Sequence, residues 1–149
     1  MANCKEKRVP APGVGATDSN LKSTELLRRR GYVVEKCEQW IPRPQGRAQA
    51  AKYAGGFRRD LFGFADLIAF HPEIPVVLFV QTTSKKQMGA HMRHYRTDAK
   101  VCQNILAWIS QPGRELVIHG WHAVKTRAGW QWRCVERYVT SRDFTAHGN

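Results

Sequence analysis

No apolar run in this sequence approaches the roughly 20 residues needed to span a bilayer core. The longest, Ile74 to Val80, has seven residues and contains Pro75. The first residues, Met1 to Arg8, are polar with no apolar stretch, so no secretory signal is read there and a cytosolic setting is expected. The four cysteines, Cys4, Cys37, Cys102 and Cys134, lie more than 30 residues apart and form no C-x-x-C pair. In that setting they read as free thiols rather than a disulfide framework. Phosphate-binding Gly-x-x-x-x-Gly-Lys and Gly-x-Gly-x-x-Gly loops and the Gly-x-Ser-x-Gly elbow are all missing, which leaves nucleotide and serine hydrolysis unsupported. Repeats and low-complexity tracts are missing too. Acids are scarce: 12 Asp plus Glu stand against 24 Lys plus Arg, for a net charge of +12. Such an excess favours a polyanionic partner. No basic amphipathic helix or lipidation signal points to a membrane, so nucleic acid, DNA or RNA, is the expected partner, the alternative being charge that only keeps the protein soluble.

What is present suits one α/β domain. With 42% hydrophobic residues, 149 positions can bury a core without staples. Residues 1–19, with Pro10, Pro12, Gly13 and Gly15, read as a flexible arm, and residues 20–149 as the domain. Leu21 to Arg30 reads as a helix stopped by Gly31, with arginines at its negative end. Tyr32 to Trp40, Phe64 to Phe70 and Val76 to Thr83 read as strands. A helical pattern then runs from Lys86 to Ile109, with Met88, Met92, Tyr95, Ala99, Cys102, Leu106 and Ile109 three or four apart. Glu115 to Val124 and Trp130 to Thr140 complete the set. In the last, Trp130, Trp132 and Cys134 alternate with polar residues, which predicts one face in the core.

Two polar residues interrupt the apolar strands. Asp66 lies inside one, where a charge is costly unless something pairs with it or it coordinates a metal. Gln81 ends the next. Together they read as a site mounted on a sheet; alternatively Asp66 receives an internal arginine such as Arg58 or Arg59, and Gln81 satisfies a sheet edge. The segment Pro42 to Arg59 is rich in arginine, holds Lys52, and has no acid, with Tyr53 and Phe57 interleaved. It suits a phosphate-tracking loop with stacking rings, or a plain surface connection. His91 and His94 flank Arg93 and follow Lys85 and Lys86; they read as a phosphate-facing surface rather than a zinc pair. His119 and His122 are expected on opposite faces of their strand. The tryptophans are read as core or interface residues rather than as platforms for bases.

The helix–strand–strand–strand–helix–strand order, with Gly63-x-x-Asp66 and a polar triplet closing the next strand, resembles the PD-(D/E)xK nucleases. The likeness is nearest to their Holliday-junction-resolvase and small phage nuclease branches and covers roughly residues 20–140. It implies a restriction-endonuclease-like αβββαβ core, a central mixed sheet flanked by helices. It also implies a homodimeric, Mg²⁺-dependent endonuclease (Mn²⁺ being an alternative ion) for structured or double-stranded DNA. By position, Asp66 and Gln81 would be metal ligands, with Glu25 on the first helix or Asp60 as a further acid. The triplet here is Gln81-Thr82-Thr83, so a neutral amide replaces the usual acid and Thr83 the usual lysine. Lys85, about 6–7 Å further along the same face of a continuing strand, would restore the cation; Lys52 is a second candidate. Asp66, Gln81, Thr83 and Lys85 thus form the expected catalytic set, and Arg47, Lys52, Arg58, Arg59, Lys85, Lys86, His91 and Arg93 the DNA-binding set. The departures keep a second class open, a catalytically inactive nuclease-fold module that only binds DNA.

Overall fold

The computed structural model describes residues 16–42 and 56–145. Arg47, Lys52, Tyr53 and most of the arm lie outside them. Helix α1 (Ala16–Arg29) starts earlier than the sequence suggested, so the last residues assigned to the arm form its first turn. It stops at Gly31, as expected. Strands β1 (Val33–Lys36), β4 (Leu67–His71) and β5 (Ile74–Ser84) make an antiparallel meander. Strand β6 (Arg114–Thr126) lies parallel to β5, and β7 (Gly129–Tyr138) closes the sheet antiparallel to β6. The spatial order is β1-β4-β5-β6-β7. A parallel pair needs a crossover, and helices α2 (Met88–Thr97) and α3 (Ala99–Ile109) supply it. This is the expected α/β class, a central mixed sheet flanked by helices.

Strand alternation divides the core into two layers. Leu78, Val80, Leu67, Ala69 and Val117 pack with Leu27 of α1 on one face. Phe79, Leu116 and Ile118 point the other way, into Met88, Met92, Tyr95, Val101 and Ile105 of α2 and α3. Phe79 stacks on Trp108 with ring centroids 3.9 Å apart. A buried polar clasp ties α1 to the sheet. Ser23 Oγ lies 3.0 Å from His119 Nδ1 and accepts the Trp121 indole N–H at 2.9 Å. His119 Nε2 lies 3.3 Å from Glu136, which also accepts from Arg30 at 2.6 Å. Two of these contacts place a serine, a histidine and a glutamate in series, but Ser23 and His119 are fully buried, so the series is structural. The side-chain hydrogen bond with His119, helped by Arg30, holds the Glu136 carboxyl down at about 2 against the opposing effect of burial. His122 does fall on the other face, as predicted.

Three expectations need correction. The single strand Tyr32–Trp40 is two: after β1 the chain leaves the sheet, and β2 (Gln39–Pro42) pairs instead with β3 (Gly56–Arg59) in a separate ribbon. The long helix Lys86–Ile109 is interrupted. A single 3-10 turn spans Lys85–Gln87, and the break between α2 and α3 falls at Asp98, whose side chain accepts from Val101 N at 3.0 Å. That bond caps α3 and satisfies a donor the first turn would otherwise leave open. Finally, the alternating face of β7 is no part of the core: Trp130 is 45% exposed, and Trp132 and Cys134 are half-buried. Among the described residues no helix is long and apolar enough to cross a membrane.

Candidate metal and phosphate site

The site lies where β4 begins and β5 ends. Asp66 is fixed from both sides by the backbone: its N–H donates to Val80 O at 3.0 Å and its carbonyl accepts from Cys37 N at 2.8 Å. A tight turn brings Asp60 beside it. Gly63 N donates to Asp60 O, and Leu61 bridges Ala65. Phe62 and Gly63 both take positive φ there, 55° and 81°, so the turn holds one strained non-glycine residue next to the acids. A side chain at Gly63 would also press on Val101, its Cβ only 2.8 Å from Cγ2.

One carboxylate oxygen of Asp66, Oδ2, takes every donor contact described for it. Gln81 Nε2 reaches it at 2.6 Å, Thr82 N at 2.7 Å and Thr82 Oγ1 at 3.1 Å. Thr82 Oγ1 is also bonded to Asn20 of α1. Gln81 Oε1 faces the Tyr95 hydroxyl at 3.3 Å, and that hydroxyl also reaches Phe64 O at 3.1 Å. The Gln81 amide is therefore engaged at both ends, orienting Asp66 and linked to Tyr95. It is brought to the site, but not with a free oxygen for a metal.

Three carboxylates converge: ligand oxygens of Glu38, Asp60 and Asp66 lie within 4.8 Å of one another. Glu38, in the crossing between β1 and β2, is held by Lys36 Nζ at 3.0 Å, Arg58 Nη1 at 3.4 Å and Asn20 Nδ2 at 3.4 Å. The Asp60 and Asp66 carboxyls lie close enough to influence each other's charge. Burial pushes Asp66 up to about 7, and the neighbouring Asp60 charge adds to this against the pull of the Thr82 donors. Asp60 is raised too, chiefly by burial. Burial also lowers His91, despite the pull of Asp60, and raises Tyr95 well above its ordinary value.

The acids open into a cavity of about 770 Å³ that is also lined by Arg58, Thr83, Lys85, Lys86, His91 and His122. Lys85 reaches it by a different route from the one expected. The strand ends at Ser84 and the 3-10 turn carries both lysines over the sheet. Gly120 of β6 makes that crossing possible, since a Cβ there would fall 2.1 Å from Met88 Sδ and 3.1 Å from Lys85 Cα. The turn sits flush on the strand because no side chain intervenes.

Glu25 is misplaced in the sequence reading. It is exposed, pairs with Arg29 at 3.6 Å one turn on, and faces a separate groove. Because α1 begins at Ala16, Asn20 points to the site instead, five residues and about 140° around the helix from Glu25. Arg59 lies on a neighbouring groove, opposite its strand neighbour Arg58, and Arg93 is exposed away from the cavity. Glu38 was missed. It sits in the polar run Lys36-Cys37-Glu38-Gln39, where an acid carries no signal; the signal was the break in strand pattern after Lys36.

Fold and site together define an α/β domain with a carboxylate cluster and a lysine-bearing turn in one cavity. No family model, no curated protein and no solved structure matches this chain.

Proposed function

We propose that this protein is a metal-dependent endonuclease of the PD-(D/E)xK type that cuts DNA. The observation that carries the reading is the convergence of Glu38, Asp60 and Asp66 in the cavity that also receives Lys85 and Lys86. The donor set fits a hard divalent ion. Three carboxylates offer oxygen ligands, and a buried acid raised to about 7 marks negative charge that the protein leaves undercompensated. Asp66, Asp60 and Glu38 would hold Mg²⁺ or Mn²⁺, so the acid expected at Gln81 arrives from two other elements. When bound, the ion supplies charge neutralisation at the phosphate and a water acidified toward neutral pH. Gln81 and Thr82 fix the orientation of Asp66. Lys85 and Lys86 bind the phosphate in place of the lysine that Thr83 replaces. His91, kept neutral by burial, is a proton acceptor within the same cavity.

The second reading, an inactive module that binds DNA through the same face, is favoured by one observation. The Gln81 amide donates to Asp66, which partly does locally what a cation would do. A cleavage assay on branched, duplex and single-stranded DNA, with Mg²⁺ or Mn²⁺ against chelator, decides between the two. Metal-dependent cutting that Asp66→Asn abolishes supports the enzyme. Tight binding with no cutting by the wild type under either ion leaves only the binding module.

A further inference from the structure

The cavity has an aromatic half that the cleavage chemistry does not use. In the β6–β7 ladder Trp121 stands opposite Cys134, Ala123 opposite Trp132 and Lys125 opposite Trp130. Directly paired residues share a face, so the three indoles stand on one side of the sheet, and all three line the cavity that holds the carboxylates. They are held to different degrees. Trp121 is 8% exposed and anchored through its indole N–H to Ser23. Trp132 is braced by the Lys22 ammonium, 3.9 Å from its ring centroid. Trp130 is 45% exposed and Trp132 half-buried, with the small Ala123 opposite Trp132 in the ladder.

The ladder also sets the distance from the acids. Thr82, which bonds Asp66, pairs with His119, and Ser84 pairs with Trp121. At about 3.3 Å per residue, Trp121 lies about 7 Å, Ala123 with Trp132 about 13 Å and Lys125 with Trp130 about 20 Å along the strands from Thr82. A strand whose phosphate is held between the carboxylates and Lys85 therefore passes the indoles over its next few nucleotides. Paired bases keep their faces stacked inside a duplex, whereas an unpaired strand offers them to aromatic side chains. The cavity volume of about 770 Å³ suits a few such groups.

We propose that this cavity takes an unpaired nucleic-acid strand, its phosphate at the carboxylate and lysine end and its bases against Trp130 and Trp132. The proposal rests on the nuclease reading and names the substrate class of that site: single-stranded segments and the unpaired arms of branched DNA, rather than continuous duplex.

The test compares a labelled oligothymidylate with a hairpin duplex of equal length, first binding in chelator, then cleavage with Mn²⁺. Wild-type protein should prefer the oligothymidylate. Trp130→Ala should weaken that binding roughly ten-fold, the effect of removing one stacking ring, while leaving the hairpin almost untouched. Trp130→Phe should restore most of the loss. Preference for the hairpin, or a Trp130→Ala affinity equal to wild type, overturns the inference; if the hairpin is then cut, the nuclease reading survives it. Trp130-dependent binding without cleavage overturns the nuclease reading and leaves the strand preference standing. Failure to bind either probe overturns both.

Discussion

Asp66 concentrates the opposing demands of the site, because the burial that positions it also resists its charge. Its folded value of about 7 lies above the ordinary 3.8. Between those values the folded chain binds more protons than the unfolded one, so metal-free stability falls as pH rises from about 4 to 7 and is unaffected by this group below that window. Asp66→Asn keeps an acceptor for Thr82 and removes the charge. Above pH 7 without metal, its melting temperature should match or exceed that of wild type, and the rise that Mg²⁺ or Mn²⁺ gives wild type should vanish. A mutant several degrees less stable would mean that Asp66 balances an internal cation instead. Gln81→Glu makes the complementary change. It swaps an amide donor 2.6 Å from Asp66 for a fourth carboxylate, so metal-free stability should fall above neutral pH while Mn²⁺ affinity, read by calorimetry, rises. Unchanged affinity would place the ion away from Asp66. Asp66 and Gln81 were legible in the sequence because each breaks an apolar run. Glu38 was not, since an acid between Cys37 and Gln39 in a polar stretch looks like any solvated side chain until the chain is folded.

At the scale of elements, the lysine-bearing turn depends on a position with no side chain. Gly120→Ala would drive a methyl into Met88 and the Lys85 backbone, and because Lys85 Cα is fixed, the turn must lift. Urea unfolding should show a loss of about 1–3 kcal/mol, the usual cost of overpacking, together with weaker DNA binding. Full stability with unimpaired binding would show that the close crossing is not needed. The sequence did mark the strands at Phe64–Phe70, Val76–Thr83, Glu115–Val124 and Trp130–Thr140, because their apolar runs and turns are legible, while their pairing appears only in the folded chain. It hid the break at Asp98, since spacings of three and four continue across it and only the side-chain cap marks it. It also gave the β7 face to the core: alternation reports that one face differs from the other, not what covers it. The acid on α1 was misjudged as well. Glu25 came from the resemblance, as the one acid between Leu21 and Arg30, and at 100° per residue it lies about 140° from Asn20, which lines the site.

For the molecule as a whole, charge and topology tell separate stories. The α/β class was readable from the order of apolar strands and helical stretches, and the parallel β5–β6 pair of the folded chain explains the crossover between them. The net charge of +12 bears on partners alone. If about six phosphates are neutralised, log K for DNA should fall against log salt with a slope near −5. A slope near zero would remove the nucleic-acid reading. The central claim, that Glu38, Asp60 and Asp66 form a metal centre for phosphodiester cleavage, is tested most directly by single-turnover cutting of a branched DNA by wild type and Asp66→Asn, with Mg²⁺, with Mn²⁺ and in chelator. The account predicts cutting only by the wild type and only with metal, with both proteins binding the DNA alike. Cutting that persists in Asp66→Asn or in chelator, or a wild type that binds the DNA and leaves it intact under both ions, would contradict it.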